Sequence, residues 1–293
     1  MPNDLSTIEI AECILLGTGI LLILGVAIHL SRRDQWAAIF RFPTAPEHDI
    51  TLLDLLVSIY AFAAMASLTV SLLLAVWGPE AADGAAASQP AEDGLMSPYR
   101  VLGILSGQVV TTAILLVIGS IRFRQGLRGW GLRVRAFGRR VRTAALAYVA
   151  LWPVCYGVLL MVTYVYSFFP AHEIIEHPSI RALRDGTAPL YVVVLTIVSA
   201  VCLAPLVEEL LFRGLILPAL EQSLGSTGKA VVFSGIAFGL VHLQVAHQVP
   251  ALAVLGMILG YAYAKTRSLT LVILMHAIFN AKTILWLLLS GSE

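Results

Sequence analysis

Residues 190–220 read LYVVVLTIVSAVCLAPLVEELLFRGLILPAL, and the reading of this stretch decides the fold. From Leu190 to Val207 it holds no charged residue, and about 20 apolar residues of helix are what a hydrocarbon core of roughly 30 Å requires. Its second half nevertheless carries Glu208, Glu209 and Arg213. Ionisable groups inside hydrocarbon cost about 3 kcal/mol or more each, so a span that keeps them is a place to look for function.

Seven further apolar segments lie outward from it, at 13–30, 52–77, 101–121, 144–169, 230–243, 249–264 and 269–289. The chain of 293 residues is 58% hydrophobic and only 13% charged, with a mean hydropathy of +0.86. That is more apolar sequence than a soluble domain of this size can bury. Period-two alternation is absent, which argues against a β-barrel. The expected fold is therefore an all-α, polytopic transmembrane helical bundle of about eight spans, the segments at 230–243 and 249–264 being the shortest. Its organisation divides into N-terminal spans with an arginine-rich loop over 1–189 and a C-terminal core over 190–293.

Charge excludes several classes. With 19 Lys+Arg against 18 Asp+Glu the net charge is +1, too even a balance to hold a phosphate backbone, and nucleic acid is not an expected partner. Cys13, Cys155 and Cys202 all sit in apolar runs and are odd in number, so neither a disulfide framework nor a cysteine metal site is expected. Asp4, Glu9 and Glu12 precede the first run, where a signal peptide carries positive charge, and Arg32 and Arg33 follow it. That pattern fits a retained anchor.

Orientation follows from the basic residues. The stretch 122–142 holds eight arginines and no acid, whereas 78–98 holds Glu80, Asp83, Glu92 and Asp93 and no base before its end. The arginine loop is expected in the cytoplasm of a bacterial-type plasma membrane. Alternation of eight spans then adds Arg32, Arg33, Arg41, Lys229, Lys265 and Arg267 to that side and sends both termini to the other. The arginine loop is read first as the topology determinant, with anionic-lipid docking as the sharper reading. The 78–98 segment reads as a flexible outer loop. His172, Glu173, Glu176 and His177 imitate a metal site but fit better the polar face of an interfacial helix.

The remaining ionisable groups concentrate in the last four spans. Counting residues from the cytoplasmic ends, at ~1.5 Å of rise per residue, brings Glu208, His242 and Asn280 to about 20 Å depth and His276 to about 14 Å. Glu209 and Arg213 are four apart with the acid first, the favourable order for an intrahelical ion pair. Glu208 points about 100° away with Phe212 at its i+4 place, which leaves it the free carboxylate. His276 and Asn280 share one helix face, and Phe238 and His242 share another. Each histidine alone fits a packed core residue; the constellation points to chemistry. Lys282 has no assigned role: it either snorkels to the outer interface or meets an unidentified acid.

Glu208-Glu209-Leu-Leu-Phe-Arg213, Phe238-Gly-Leu-Val-His242 and His276-Ala-Ile-Phe-Asn280 resemble, position by position, the three-part signature of the CPBP family. This is the family of the type II CAAX prenyl proteases and their bacterial relatives, among them bacteriocin-processing and lysostaphin-resistance-like proteins. The resemblance covers 190–289; before it the chain is similar only in being hydrophobic spans. It implies a helical intramembrane endopeptidase that cuts a membrane-proximal peptide from a cavity open to the cytoplasm, with membrane lipid and a peptide or protein substrate, prenylated in the name-giving members, as partners. It further implies that Glu208 is catalytic, that His242 helps it hold and activate a water, and that His276 and Asn280 stabilise the oxyanion, with Glu209, Arg213 and Phe238 in support.

Two mechanisms are compatible with these residues. In the favoured one no cofactor is required: Glu208 takes the proton of the attacking water and His276 and Asn280 donate to the developing oxyanion. In the other, Glu208, His242 and His276 form a zinc shell with an open position. That shell leaves no second carboxylate as base unless Glu209 is freed from Arg213. Two rival functions are a scaffold or immunity factor of the same fold and a proton-coupled transporter using the same groups as a relay.

Overall fold

The structure, a computed structural model, describes residues 7–77, 98–133, 135–168 and 189–290. Eight apolar helices carry it: α1 Thr7–Arg32, α2 Leu52–Trp77, α3 Pro98–Arg122, α4 Phe137–Tyr166, α5 Leu190–Leu224, α6 Thr227–Leu240, α7 Val249–Thr266 and α8 Leu269–Ser290. Seven are long and apolar enough to cross a membrane, and α6 is a shorter apolar helix of 14 residues. The chain is an all-α, multi-pass integral membrane protein, and the apolar runs read from the sequence each correspond to a helix.

Two boundaries differ informatively. Helix α4 begins at Phe137, so Arg139, Arg140 and Arg142 lie in its first turns rather than in a loop. Long cationic side chains can leave a helix for water, so apolar sequence alone underestimates where such a helix starts. Helix α6 ends at Leu240, and His242, with φ −103° and ψ 27°, opens the 3-10 stretch Leu243–Gln248. His242 therefore stands at a helix end and not within a span. The 78–97 loop and the His172, Glu173, Glu176 and His177 pattern lie outside the described residues.

Helix α4 packs against α1, α7 and α8, while α2 packs on α3 and α3 on α5. Lipid tails are as apolar as leucine, so these contacts are stabilised by close packing rather than by escape from water. A close backbone approach joins α6 and α7. A Cβ at Gly235 would stand 2.6 Å from the Met257 backbone nitrogen, and one at Gly239 2.8 Å from the Val249 carbonyl oxygen. This small-xxx-small spacing lets two backbones meet and brings the Gly256 carbonyl within reach of α5. Leu21, Leu52, Tyr60 and Leu190 are more than two-thirds exposed, as lipid-facing side chains can be without cost.

Several segments rich in basic residues meet at one end of the bundle. Asp54 of α2 accepts from Arg122, and Arg124 pairs with Glu47. Lys265 donates to the carbonyls of Ala38 and Arg41, and Arg267 grips both carboxylate oxygens of Glu221 at 2.9 Å and reaches the Pro43 carbonyl. The arginine loop thus shares an end with Arg41, Lys265 and Arg267, three of the residues that alternation assigned to its side.

The acid that Lys282 meets is Glu12, at 2.8 Å. Lys282 Nζ also lies 3.5 Å from the Trp152 ring centroid, and Trp152 Nε1 donates to Glu12. Helices α1, α4 and α8 are stitched together at one point. Glu12→Ala is expected to cost about 2–3 kcal/mol of stability, somewhat below the ~3–5 kcal/mol of a sealed pair, because it leaves the ammonium unpaired. Pairing it with Lys282→Met should recover most of that loss. Unfolding in detergent reads both, and a double variant no more stable than the single one would refute the pair's role.

Candidate active site

Helix α5 is interrupted by two π turns, Ser199–Leu203 and Phe212–Ile216. The Ala204 and Leu217 N–H groups reach back five residues, to the carbonyls of Ser199 and Phe212. Each turn is followed by a proline, Pro205 and Pro218, which has no N–H to give. The carbonyls of Ala200 and Val201 before Pro205, and of Arg213 and Gly214 before Pro218, lose their α-helical donors as a result. For Ala200 and Arg213 the i+4 donor is spent one residue earlier and the next residue is proline; for Val201 and Gly214 the i+4 residue is the proline itself. Buried carbonyls need partners, and side chains supply those of Ala200 and Gly214. Asn280 Nδ2 of α8 donates to Ala200 at 2.8 Å, and Trp130 Nε1 donates to Gly214 at 2.7 Å.

Between the two turns, Ala204–Leu211 carries Glu208 and Glu209. Glu209 has no exposed surface, and its Oε1 accepts from Arg213 Nη1 at 2.7 Å and from His276 Nδ1 at 2.9 Å. Arg213, equally sealed, donates through Nη2 to the Gly256 carbonyl at 2.8 Å and lies over the Phe238 ring at 4.8 Å. The Phe238 ring also approaches His276 edge-on at 5.6 Å and His242 at 5.3 Å. One arginine therefore ties α5 to α7, and one carboxylate ties α5 to α8.

Glu208 differs from its neighbour. Its side chain keeps 27% exposure, and its Oε2 stands 3.9 Å from His276 Nε2. It is not sealed, and among the described residues no cation holds it at hydrogen-bonding distance. The partners also fix tautomers: a carboxylate and a carbonyl only accept, so His276 carries a proton on Nδ1 toward Glu209. His242 likewise carries one on Nδ1 toward the Phe238 carbonyl at 2.9 Å. In both imidazoles Nε2 is the nitrogen left for another partner, and that of His276 faces Glu208.

Glu208, Glu209, Arg213, Phe238 and His276 form one contiguous network. His242 joins it through Phe238, and no ion pair links it to Glu208 among the described residues. Asn280 lies one turn from His276 with one amide proton committed to Ala200. The metal reading of Glu208, His242 and His276 finds no support in this donor set: among the described residues no three His, Cys, Asp or Glu side chains gather closely enough to hold an ion. Sequence reasoning missed Trp130, the Gly256 carbonyl and the Ser199 hydroxyl, which donates to buried Gln108 at 2.9 Å. Pro205 and Pro218 were the available signal, since each announces an orphaned carbonyl upstream.

A partly exposed carboxylate, an imidazole held by a second carboxylate and a guanidinium sealed behind them, all on packed apolar helices, define a membrane-embedded glutamate–histidine centre. Residues 190–282 match the family model described as type II CAAX prenyl endopeptidase Rce1-like. The match spans less than half of the chain, contains all seven residues of the three motifs and bears out the resemblance to the CPBP intramembrane proteases. No curated protein and no solved structure matches the chain.

Proposed function

We propose that the chain is an intramembrane endopeptidase that hydrolyses a membrane-proximal peptide bond with a water activated by Glu208. The observation that carries this reading is the contrast between two adjacent carboxylates: Glu209 sealed and engaged by Arg213 and His276, Glu208 partly open and facing His276 Nε2 at 3.9 Å. A general base must be free to accept a proton within reach of the reacting water, and only Glu208 meets that condition.

In this mechanism water bridges Glu208 and the Nε2 lone pair of His242. Glu208 takes one proton as the water oxygen bonds to the scissile carbonyl carbon. The oxyanion that forms receives hydrogen bonds from His276 Nε2, in its imidazolium form with Glu209 as counter-charge, and from the second amide proton of Asn280. When the C–N bond breaks, the proton on Glu208 passes to the leaving amine, and the carboxylate is regenerated. Residues 190–293 form the catalytic core, 1–189 frame it, and the arginine-bearing end faces the cytoplasm. The substrate is a membrane-anchored peptide, with or without a prenyl group, and lipid surrounds the enzyme.

Cleavage of a fluorogenic farnesylated peptide and of its unprenylated counterpart by detergent-purified protein tests the reading. Turnover is expected to survive chelation in a preparation whose metal content, by mass spectrometry, is far below stoichiometric. Stoichiometric zinc, with activity lost on chelation and restored by zinc, would replace the water-and-glutamate mechanism with a metal one.

A further inference from the structure

We infer that Trp130, from the loop between α3 and α4 and outside the segment that matches the family, is a positioning residue for the catalytic carboxylates; the inference rests on the protease reading above. Among the described residues Trp130 is the largest fully buried side chain. Its indole lies between α3 and the second π turn so tightly that a Cβ at Gly119 would stand 2.1 Å from the ring and one at Gly214 2.5 Å. Its N–H supplies the Gly214 carbonyl that Pro218 leaves without a donor.

That turn is where Arg213 leaves the helix. The adjoining residue Gly214 is fixed by Trp130 from one side, while Arg213 itself binds Glu209 and the Gly256 carbonyl on the other. The chain of contacts runs from Trp130 to Gly214, Arg213, Glu209 and then His276 Nδ1. Rotation of the π turn would swing Arg213, release Glu209 and alter where His276 presents Nε2 beside Glu208. Trp130 touches neither substrate nor reacting atoms; it acts by setting the angular register of α5. A side chain placed only to fill space would not need a donor aimed at an orphaned carbonyl one residue from the buried arginine.

Two variants separate positioning from simple satisfaction of a carbonyl. Trp130→Phe keeps an aromatic ring and removes the N–H. Pro218→Ala in the same chain restores a local N–H for Gly214 without restoring the tie to the loop. On the farnesylated fluorogenic peptide, Trp130→Phe is expected to lower kcat about 10- to 100-fold with KM within about twofold, the size of effect that a displacement of about 1 Å produces. The double variant is expected to regain thermal stability but not kcat. Wild-type kcat in Trp130→Phe, or joint recovery of Tm and kcat in the double variant, would overturn the inference.

Should the wild-type protein cleave no peptide, the protease reading fails, and amide hydrogen exchange then decides on the latch. Faster exchange over 208–217 in Trp130→Phe, with α1 unchanged as control, supports it. Unchanged exchange overturns it.

Discussion

Glu208→Gln is expected to fold like the native protein and to lose at least about 100- to 10,000-fold in kcat, the contribution of a positioned general base. The amide matches the carboxylate in volume, and Glu208 holds no ion pair shorter than its 3.9 Å approach to His276, so little structure depends on its charge. What disappears is a group able to take a proton from water. Detergent melting curves beside peptide cleavage give the test, and the comparison with Glu209→Gln sharpens it. Glu209 is sealed and bonded to both Arg213 and His276, so its variant should lose stability and activity together. A Glu208→Gln protein that is stable and still turns over substrate at the native rate would remove Glu208 from the chemistry. One that is stable, inactive in cleavage and yet still protects or binds in cells would favour the scaffold reading.

The second large effect is on stability. Arg213→Ala is expected to cost about 3–5 kcal/mol, because it removes the guanidinium from Glu209 in a sealed, low-dielectric site and leaves that carboxylate only its bond to His276. It also strips the Gly256 carbonyl of its donor at the close contact between α6 and α7. Arg213→Lys should recover only part of this, since a single ammonium can meet Glu209 but cannot also present the forked donors that reach Gly256. The checks are thermal and denaturant unfolding in detergent. Unchanged stability in the alanine variant would sink the account of Arg213 as the internal counter-charge.

Much of this was legible in the sequence because the bilayer simplifies the reading. Uncharged runs of spanning length map onto helices, and the i+4 spacing of Glu209 and Arg213 already sets acid before base on one face. The His276 and Asn280 spacing likewise sets both side chains on one face of α8, a face that the structure turns toward α5. What was not legible depends on pairings between distant helices. Lys282 had no visible partner because Glu12 lies at the opposite end of the chain. The anchoring of His276 by Glu209 could not be read because no local spacing relates α8 to α5. The count of helical residues also placed His242 inside a span, whereas the chain leaves α6 at Leu240 and the imidazole stands in the turn beyond. The two π turns escape a periodicity of 3.6 altogether, although Pro205 and Pro218 mark them.

The joint between Glu12, Trp152 and Lys282 bears on how this protein is made. Helix α1 is synthesised before α8, so the Glu12 carboxylate enters the bilayer without its ammonium and waits for it until α8 is in place. Helix α1 is therefore tied to α4 and α8 at this point only after the seven helices that follow it here have been made.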